Sequence, residues 1–468
     1  LSSNELAFKT VTELAKMLRA KKISSVELTH YFLNRLEQYG PNYNALAQLA
    51  HNVALKQAYN ADRAIHKGEI TSPLQGIPYG AKDLLATRNI PTRWGAPPYR
   101  NQVFDFDATP IERLRENGAV LLGKLAMVEL AGGGGYAYAK ASLHGPGLNP
   151  WNVKHWSGGS SSGSASAVAA GLVPYALGSE TWGSIITPST YCGITGLRPT
   201  WGLVSRYGAM ELAWTMDKVG PMARTAEDCG WILQAIAGED VRDNTTWDHP
   251  PFIFKSRIKR ADFRIGVLPA DFTGVPDIEK AYKNALRVLK KAGMTLVNIE
   301  IDDSQYATVA RTILNGESAA AHEELIKSKR LNELVDANQK RGLKQNLQQR
   351  SAEFVRALQQ RRHMAYEFFN LMNDFDALVS PSLVAQAPTL ETNLQKMTRR
   401  RGGYAVLGAL FGIPQISLPM GFSAQGLPLG ISFYGDLFFE NTLLQIGMIF
   451  QRETDWHLKT PQVEKINL

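Results

Sequence analysis

Hydrophobic and polar positions along this chain change their period several times, and the changes mark out its elements. Near the start, Thr10-Val-Thr-Glu13 and Ser24-Ser-Val-Glu27 both fit the reciprocal cap in which a hydroxyl and a later Glu satisfy free helix amides. Behind the second cap Leu28, Phe32 and Leu36 recur at helical spacing until Gly40, a one-face stripe suited to packing on a core. A third helical pattern runs from about 52 to 67 and ends at Gly68. Glycines and prolines then bracket a short extended segment, Tyr79 to Leu85, with Lys82 in mostly apolar company. Thr109-Pro110 opens a helix running to Asn117-Gly118, because proline is preorganised for the first turn. Ala119 to Leu122 follows as a buried strand.

After 192 the segments Gly193–Thr200 and Gly202–Gly208 alternate turns and short strands. From Asp262 a βαβ pattern appears: strand Arg264–Leu268, helix Asp277–Ala292 stopped by Gly293, strand Thr295–Ile301. Residues from about 303 to 373 read as helical, charged and rich in Gln and Arg, a peripheral excursion. Strands resume at Ala377–Ser380, Gln415–Leu418 and Leu429–Phe433, and a last helix spans about Glu440 to Arg452. There is no internal repeat. The mixture predicts an α/β fold, one large mixed central sheet covered by helices on both faces. A single domain is expected over 1–468, with an N-terminal helical region 1–70, a core about 71–235, the βαβ unit about 262–302 and the excursion.

Composition narrows the function classes. At 468 residues, with 44% apolar and 20% charged positions, the chain has the make-up of an ordinary globular protein with a large core. A net charge of +8 raises the question of a nucleic-acid partner, but the excess is diffuse. Its clusters at Lys255–Arg260, Lys327–Arg330 and Arg399–Arg401 read as solvated faces, so no nucleic acid is expected. Two cysteines, Cys192 and Cys229, make no disulfide framework and point to a reducing, cytoplasmic setting. Leu1 to Glu5 hold no secretory-leader core, and since Leu1 is not Met, further residues can precede it. No apolar run reaches the ~18 residues of a spanning helix, and Tyr404–Met420 is broken by glycines and prolines, so no membrane partner is expected.

The chemistry concentrates in two glycine-and-serine knots, Ser157–Ser164 and Gly178–Ile185, flanking the apolar run Ala165–Leu177. A flexible linker has this composition but is followed by polar residues. A glycine-rich turn opening into a small-residue helix instead aims backbone amides at a bound group. A nucleotide-binding loop needs a closing lysine, and none lies between Lys154 and Lys218. The nine histidines show no metal-ligand spacing, so no metal and no cofactor are expected. Gly159-Ser160-Ser161-Ser162-Gly163 matches a nucleophile elbow centred on Ser161, but the strand that motif requires before it is missing from Asn152–Ser157. Alone, Lys82 reads equally as a snorkelling edge residue or as a desolvated base.

These stretches resemble the amidase signature family of serine hydrolases. The likeness runs through Gly76–Asp83, Gly123-Lys124, Asn149–Asn152, both knots and Cys192–Pro199 to Thr454–His457, essentially the whole chain. It implies Ser184 as nucleophile, Ser160 as bridging serine entered by a cis peptide, Lys82 as base, and the amides of Thr181, Trp182, Gly183 and Ser184 as oxyanion hole. Ser160 precedes Ser184 by 24 positions, as the family pattern requires. In this reading the apolar setting of Lys82 lowers its pKa, and nearby carboxylates such as Asp83 oppose that. The family commonly carries Gly where Trp182 stands and Arg where Ile186 stands, so Glu180 is expected to lose an ion-pair partner. Arg198–Gly208 resembles the catalytic component of glutamyl-tRNA amidotransferase, whose glutamine-binding acid corresponds to Gly402 here. With no acid there, a hydrophobic or aryl amide is the expected substrate, with esters and carbamates (urethanes) open to the same relay. Gly132, Gly133, Tyr136, Trp182 and Trp214 are the expected pocket residues. The resemblance implies a small-molecule substrate and a monomer or homodimer. The alternatives are a non-catalytic binding protein on the same scaffold and the catalytic component of a tRNA amidotransferase complex.

Overall fold

The computed structural model describes residues 6–258 and 261–463, so the leader reading at Leu1–Glu5, and Lys259 and Arg260 of one basic cluster, lie outside the described residues. Thirteen strands are present among the described residues. β1 is Leu46–Leu49, β2 Pro78–Lys82, β3 Val120–Leu125, β4 Leu148–Asn149, β5 Asn152–Trp156, β6 Tyr175–Glu180 and β7 Thr195–Arg198. β8 is Lys218–Ala223, β9 Arg264–Val267, β10 Thr295–Asn298, β11 Ala377–Pro381, β12 Gln415–Phe422 and β13 Pro428–Tyr434. Eleven of them form one sheet in the order β1-β3-β2-β6-β8-β7-β12-β13-β11-β9-β10, and β4 pairs with β5 alone. The sheet is mixed. β2 runs parallel to β3 and β6, and β9 parallel to β10 and β11, while the middle of the sheet is antiparallel. Helices flank it, so the central strands β2, β3, β6 and β8 are buried along almost their whole length.

Both reciprocal caps are made: Thr10 and Ser24 accept from the amides of Glu13 and Glu27, whose carboxylates reach back to the capping residues. The third helix, His51–Lys67, ends on Gly68 in the left-handed region. The βαβ unit forms, with its second strand ending at Asn298 rather than Ile301. The run 202–208 contains no strand, only a single bridge from Val204 to Ala237. Its backbone is spent instead on turns tied down by Asp240 and Asp243, which accept from Ser205 and from the Arg206 amide.

The apolar run Ala165–Leu177 proves to be two elements, helix Ser162–Ala169 and strand β6, joined by a tight turn. Helix and strand therefore run antiparallel, which lays the helix N-terminus beside the C-terminal end of β6. Small residues are what allow this. A β-carbon on Gly163 would stand 2.4 Å from the Ala45 carbonyl oxygen and 2.6 Å from the Ala126 amide nitrogen. Gly163→Val is accordingly expected to cost about 1–3 kcal/mol or more by overpacking. Denaturant unfolding measures it, and an unchanged midpoint would contradict the close approach.

Candidate active site

Lys82 closes β2 at the point where its neighbour β6 also ends. Ala81 lies opposite Leu177 in a parallel pair, so Lys82 and Ser179 leave the sheet at the same carboxyl edge. That edge is where α/β sheets present ligand-binding groups. The Lys82 side chain is fully buried. Its Nζ lies 2.7 Å from Ser160 Oγ, 2.9 Å from Ser179 Oγ and 3.3 Å from the Ser179 carbonyl. Burial brings its pKa down to about 7, against the opposing charges of Asp217 and Glu180.

The first knot supplies Ser160. The Gly159–Ser160 peptide is cis. Val128 donates its amide to the Ser160 carbonyl at 3.1 Å, which fixes the serine against the loop after β3. Ser161 stitches the knots together: its amide donates to the Ser184 carbonyl at 3.3 Å, and its hydroxyl to the Ser179 carbonyl at 3.2 Å. Ser161 therefore faces the second knot's backbone, while Ser160 faces the lysine.

The second knot leaves β6 and turns through Thr181–Ser184 into helix Ile186–Cys192. Gly183 makes the turn with φ +88°, a left-handed conformation that favours glycine. Ser184 is only partly buried, unlike Ser160. Among the described residues, the amides of Trp182, Gly183 and Ser184 make no hydrogen bond, leaving three donors open around the Ser184 hydroxyl. Glu180 fixes the turn from below, accepting from the amides of Ile185 and Ile186 at 2.8 and 2.9 Å.

Two electrostatic expectations are corrected here. Glu180 does not lose its partner with the arginine absent at 186, because Arg198 Nη1 reaches it at 2.6 Å from β7, both side chains fully buried. Burial pushes the Glu180 carboxyl up, but Arg198 and the two amides outweigh that and hold it below the usual range. Asp83 is not the acid that opposes Lys82. Being next in the strand it faces the other way, accepting from the Arg93 amide at 3.0 Å and lying 3.6 Å from Lys124 Nζ. The acids acting on Lys82 are Asp217 and Glu180.

The expected pocket residues divide. Tyr136 is buried with its ring edge-on to Trp156, and its hydroxyl lies 3.3 Å from where a Gly159 β-carbon would stand, beside the relay. Gly132 backs onto that ring. Gly133 packs on Leu212 and Ser318 instead, with Ser318 donating to its carbonyl at 3.1 Å. Trp214 is half exposed and lines a separate cavity with Arg206, Met210 and Asp217. The Trp182 ring turns toward helix Tyr306–Ala321, where the Arg311 guanidinium sits 5.5 Å above it. Sequence reasoning missed Ser179, Asp217 and the role of Arg198. The only signal for Asp217 is its place directly before a buried strand.

A family model for amidases matches residues 27–444. Among curated relatives, the catalytic component of the glutamyl-tRNA(Gln) amidotransferase of Coxiella burnetii is 34% identical over 97% of this chain and 99% of its own length. Its counterpart from Chromohalobacter salexigens is 35% identical over 98% and 99%. The solved peptide amidase of Stenotrophomonas maltophilia superposes with a TM-score of 0.85 at 29% identity, covering 98% of this chain and 99% of that one. The corresponding amidotransferase chain of Thermotoga maritima shares the fold with a TM-score of 0.81 at 24% identity over 98% and 99%.

Arg198→Met strips the buried Glu180 of its cation and is expected to cost about 3–5 kcal/mol. Chemical denaturation reads this directly, and a loss below ~1 kcal/mol would show that the two backbone amides suffice for the carboxylate.

Proposed function

The chain belongs to the amidase family, and on that premise we propose that it hydrolyses a carbon–nitrogen amide bond through an acyl-enzyme on Ser184. The observation that carries the reading is the 2.7 Å contact between a buried lysine, its pKa near 7, and the hydroxyl of Ser160. A lysine base must be neutral near neutral pH, and desolvation supplies that. Neutral Lys82 takes the Ser160 hydroxyl proton while Ser160 Oγ takes the proton of Ser184. Ser184 Oγ then bonds to the substrate carbonyl carbon, and the oxyanion lies toward the open amides at 181–184. Collapse of the tetrahedral adduct breaks the C–N bond as Ser160 passes a proton to the leaving nitrogen, itself resupplied from Lys82. Water repeats the sequence on the acyl-enzyme and releases the acid.

The substrate proposed is a small hydrophobic or aryl amide, with esters and carbamates cleaved by the same steps. Tyr136, Trp156 and Tyr191 form an apolar cluster beside Ser160 that suits such a group. A second reading, the catalytic component of a glutamine-dependent tRNA amidotransferase, has the curated relatives on its side, and they favour it over the free-amide reading. Against it stands Gly402, where a glutamine-binding acid was expected. Its φ is +132° and a β-carbon there would stand 2.5 Å from Val384, so no carboxylate fits without rearrangement.

A hydrolysis panel of aryl amides, primary amides, esters, carbamates and glutamine, run on wild type, Ser184→Ala and Lys82→Met, tests both readings. Each variant is expected to lose at least ~10³-fold in kcat/KM. Full activity in either would end the assignment, and ammonia release from glutamine alone would move it to the amidotransferase. Failure of Ser184 to react with a sulfonyl fluoride would favour a non-catalytic binding protein. The acid limb of the rate profile is a further check. Activity is lost as Lys82 gains its proton, so the rate should rise with pH through a midpoint near 7. A limb near 10 would mean a solvated lysine.

A further inference from the structure

Asp217 stands directly before β8 and lies outside the Lys82–Ser160–Ser184 sequence, yet it touches both ends of the site. One carboxylate oxygen accepts the hydroxyl of Thr181, the first residue of the turn that carries Ser184. The other accepts the amides of Leu212 and Ala213 at 2.7 and 2.9 Å, closing the loop 211–217 onto itself. That loop is gripped from the far side by the helical excursion. Glu317 of helix Tyr306–Ala321 accepts the Thr215 amide at 3.1 Å, and Arg361 of helix Ser351–Met372 donates to the Thr215 hydroxyl at 2.8 Å. Asp217 also lines, with Ser179 and Thr181, a cavity of about 220 Å³ that reaches the lysine's own hydroxyl partner.

We propose that Asp217 is the positioning residue of this site: through Thr181 it holds the 181–184 turn, and its negative charge sets the pH at which Lys82 becomes a base. The activity readout of this inference rests on the amide-hydrolase reading; its spectroscopic readout does not. The charges around Lys82 single Asp217 out. From β6, Glu180 also faces the lysine, but Arg198 of β7 neutralises it at 2.6 Å. Lys218, next to Asp217 on β8, points elsewhere and donates to the Gly408 carbonyl at 2.9 Å, with burial holding its pKa well down. Arg206 is engaged by Asp243 and the Trp214 carbonyl. Glu211 and Glu317 on the loop and the excursion are both pushed toward the neutral acid, first by burial and also by Asp217 itself. Asp217 is thus the acid near Lys82 whose charge no arginine or lysine cancels, and its hydrogen bonds all come from neutral donors. Such a charge within a few ångströms raises a lysine's pKa by on the order of one unit or more.

The test follows Lys82 itself, by carbon-13 NMR of labelled lysine ε-carbons, its signal identified by loss in Lys82→Met, alongside kcat against pH. Asp217→Asn keeps the shape and removes the charge, so the Lys82 midpoint and the acid limb should both fall by about one pH unit. Thr181→Val keeps the charge and frees the turn, so kcat should fall ~10-fold or more with the midpoint unmoved. Asp217→Glu, which restores a charge, should leave the midpoint at its wild-type value, and it stands in if the Asn variant does not fold. An unmoved midpoint in Asp217→Asn, or a midpoint that falls in Asp217→Glu, overturns the proposal. A midpoint that moves as stated in a protein hydrolysing nothing in the panel would uphold Asp217's role and sink the hydrolase reading instead.

Discussion

The site depends on one amine kept out of water. Lys82 ends a buried strand in the interior of an eleven-stranded sheet, and the groups around its Nζ are two hydroxyls and a carbonyl. Burying an ammonium without a carboxylate on it costs several kcal/mol, and the least costly response is to lose the proton. The glycine and serine knots follow from that requirement. They are short enough to crowd oxygen atoms around the amine and small enough for helix Ser162–Ala169 to lie against the loop after β3. Any bulkier helix would hold Ser160 away from the lysine.

Comparison among the buried cations shows why this one is suited to moving protons. Arg198 has a carboxylate at 2.6 Å and stays charged, fixing the Glu180 turn. Lys124, its pKa brought to about 8 chiefly by burial, is anchored on the Leu85 carbonyl, the Thr92 hydroxyl and nearby Asp83. Lys218 meets a carbonyl, which accepts a hydrogen bond but has no proton to give. Lys82 alone among the four pairs a lowered pKa with a serine hydroxyl that itself abuts the second knot. Desolvation is common to the three lysines, and the hydroxyl partner is what differs.

The elements whose residues are neighbours in sequence were legible in advance. Both capping boxes, the βαβ unit and the last helix at Glu440–Arg452 depend on contacts within a few residues, which periodicity and caps report. The amidase resemblance placed Lys82, Ser160 and Ser184 on the sheet edge where the chain assembles them. What escaped was set by contacts across long stretches of chain. Arg198 reaches Glu180 across the sheet, and Asp217 reaches Thr181 over 36 positions, where no local pattern marks either. The run 202–208 misled because its alternation of small and apolar residues is that of a strand. Its backbone partners are aspartates more than thirty residues on, and those draw it into turns.

The same distinction explains why the substrate is harder to read than the reaction. The relay lies between β2 and the two knots, all within the stretch where the resemblance is tightest. The surroundings of Trp182 come from elsewhere: Arg311 belongs to the helical excursion, and Val406 to a helix near the other end of the chain. The excursion is also less peripheral than its charged, Gln-rich sequence implies. Its residues Val335 and Asp336 donate amides to buried Glu129 at 2.8 and 2.9 Å, and Gly134 has room only for hydrogen against Gln339. It therefore forms one wall over the glycine run beside Tyr136 and also grips the loop that holds Asp217. A change of sequence in that excursion would alter what the site admits and the charge balance at Lys82 together, so selectivity and basicity are mechanically linked in this fold.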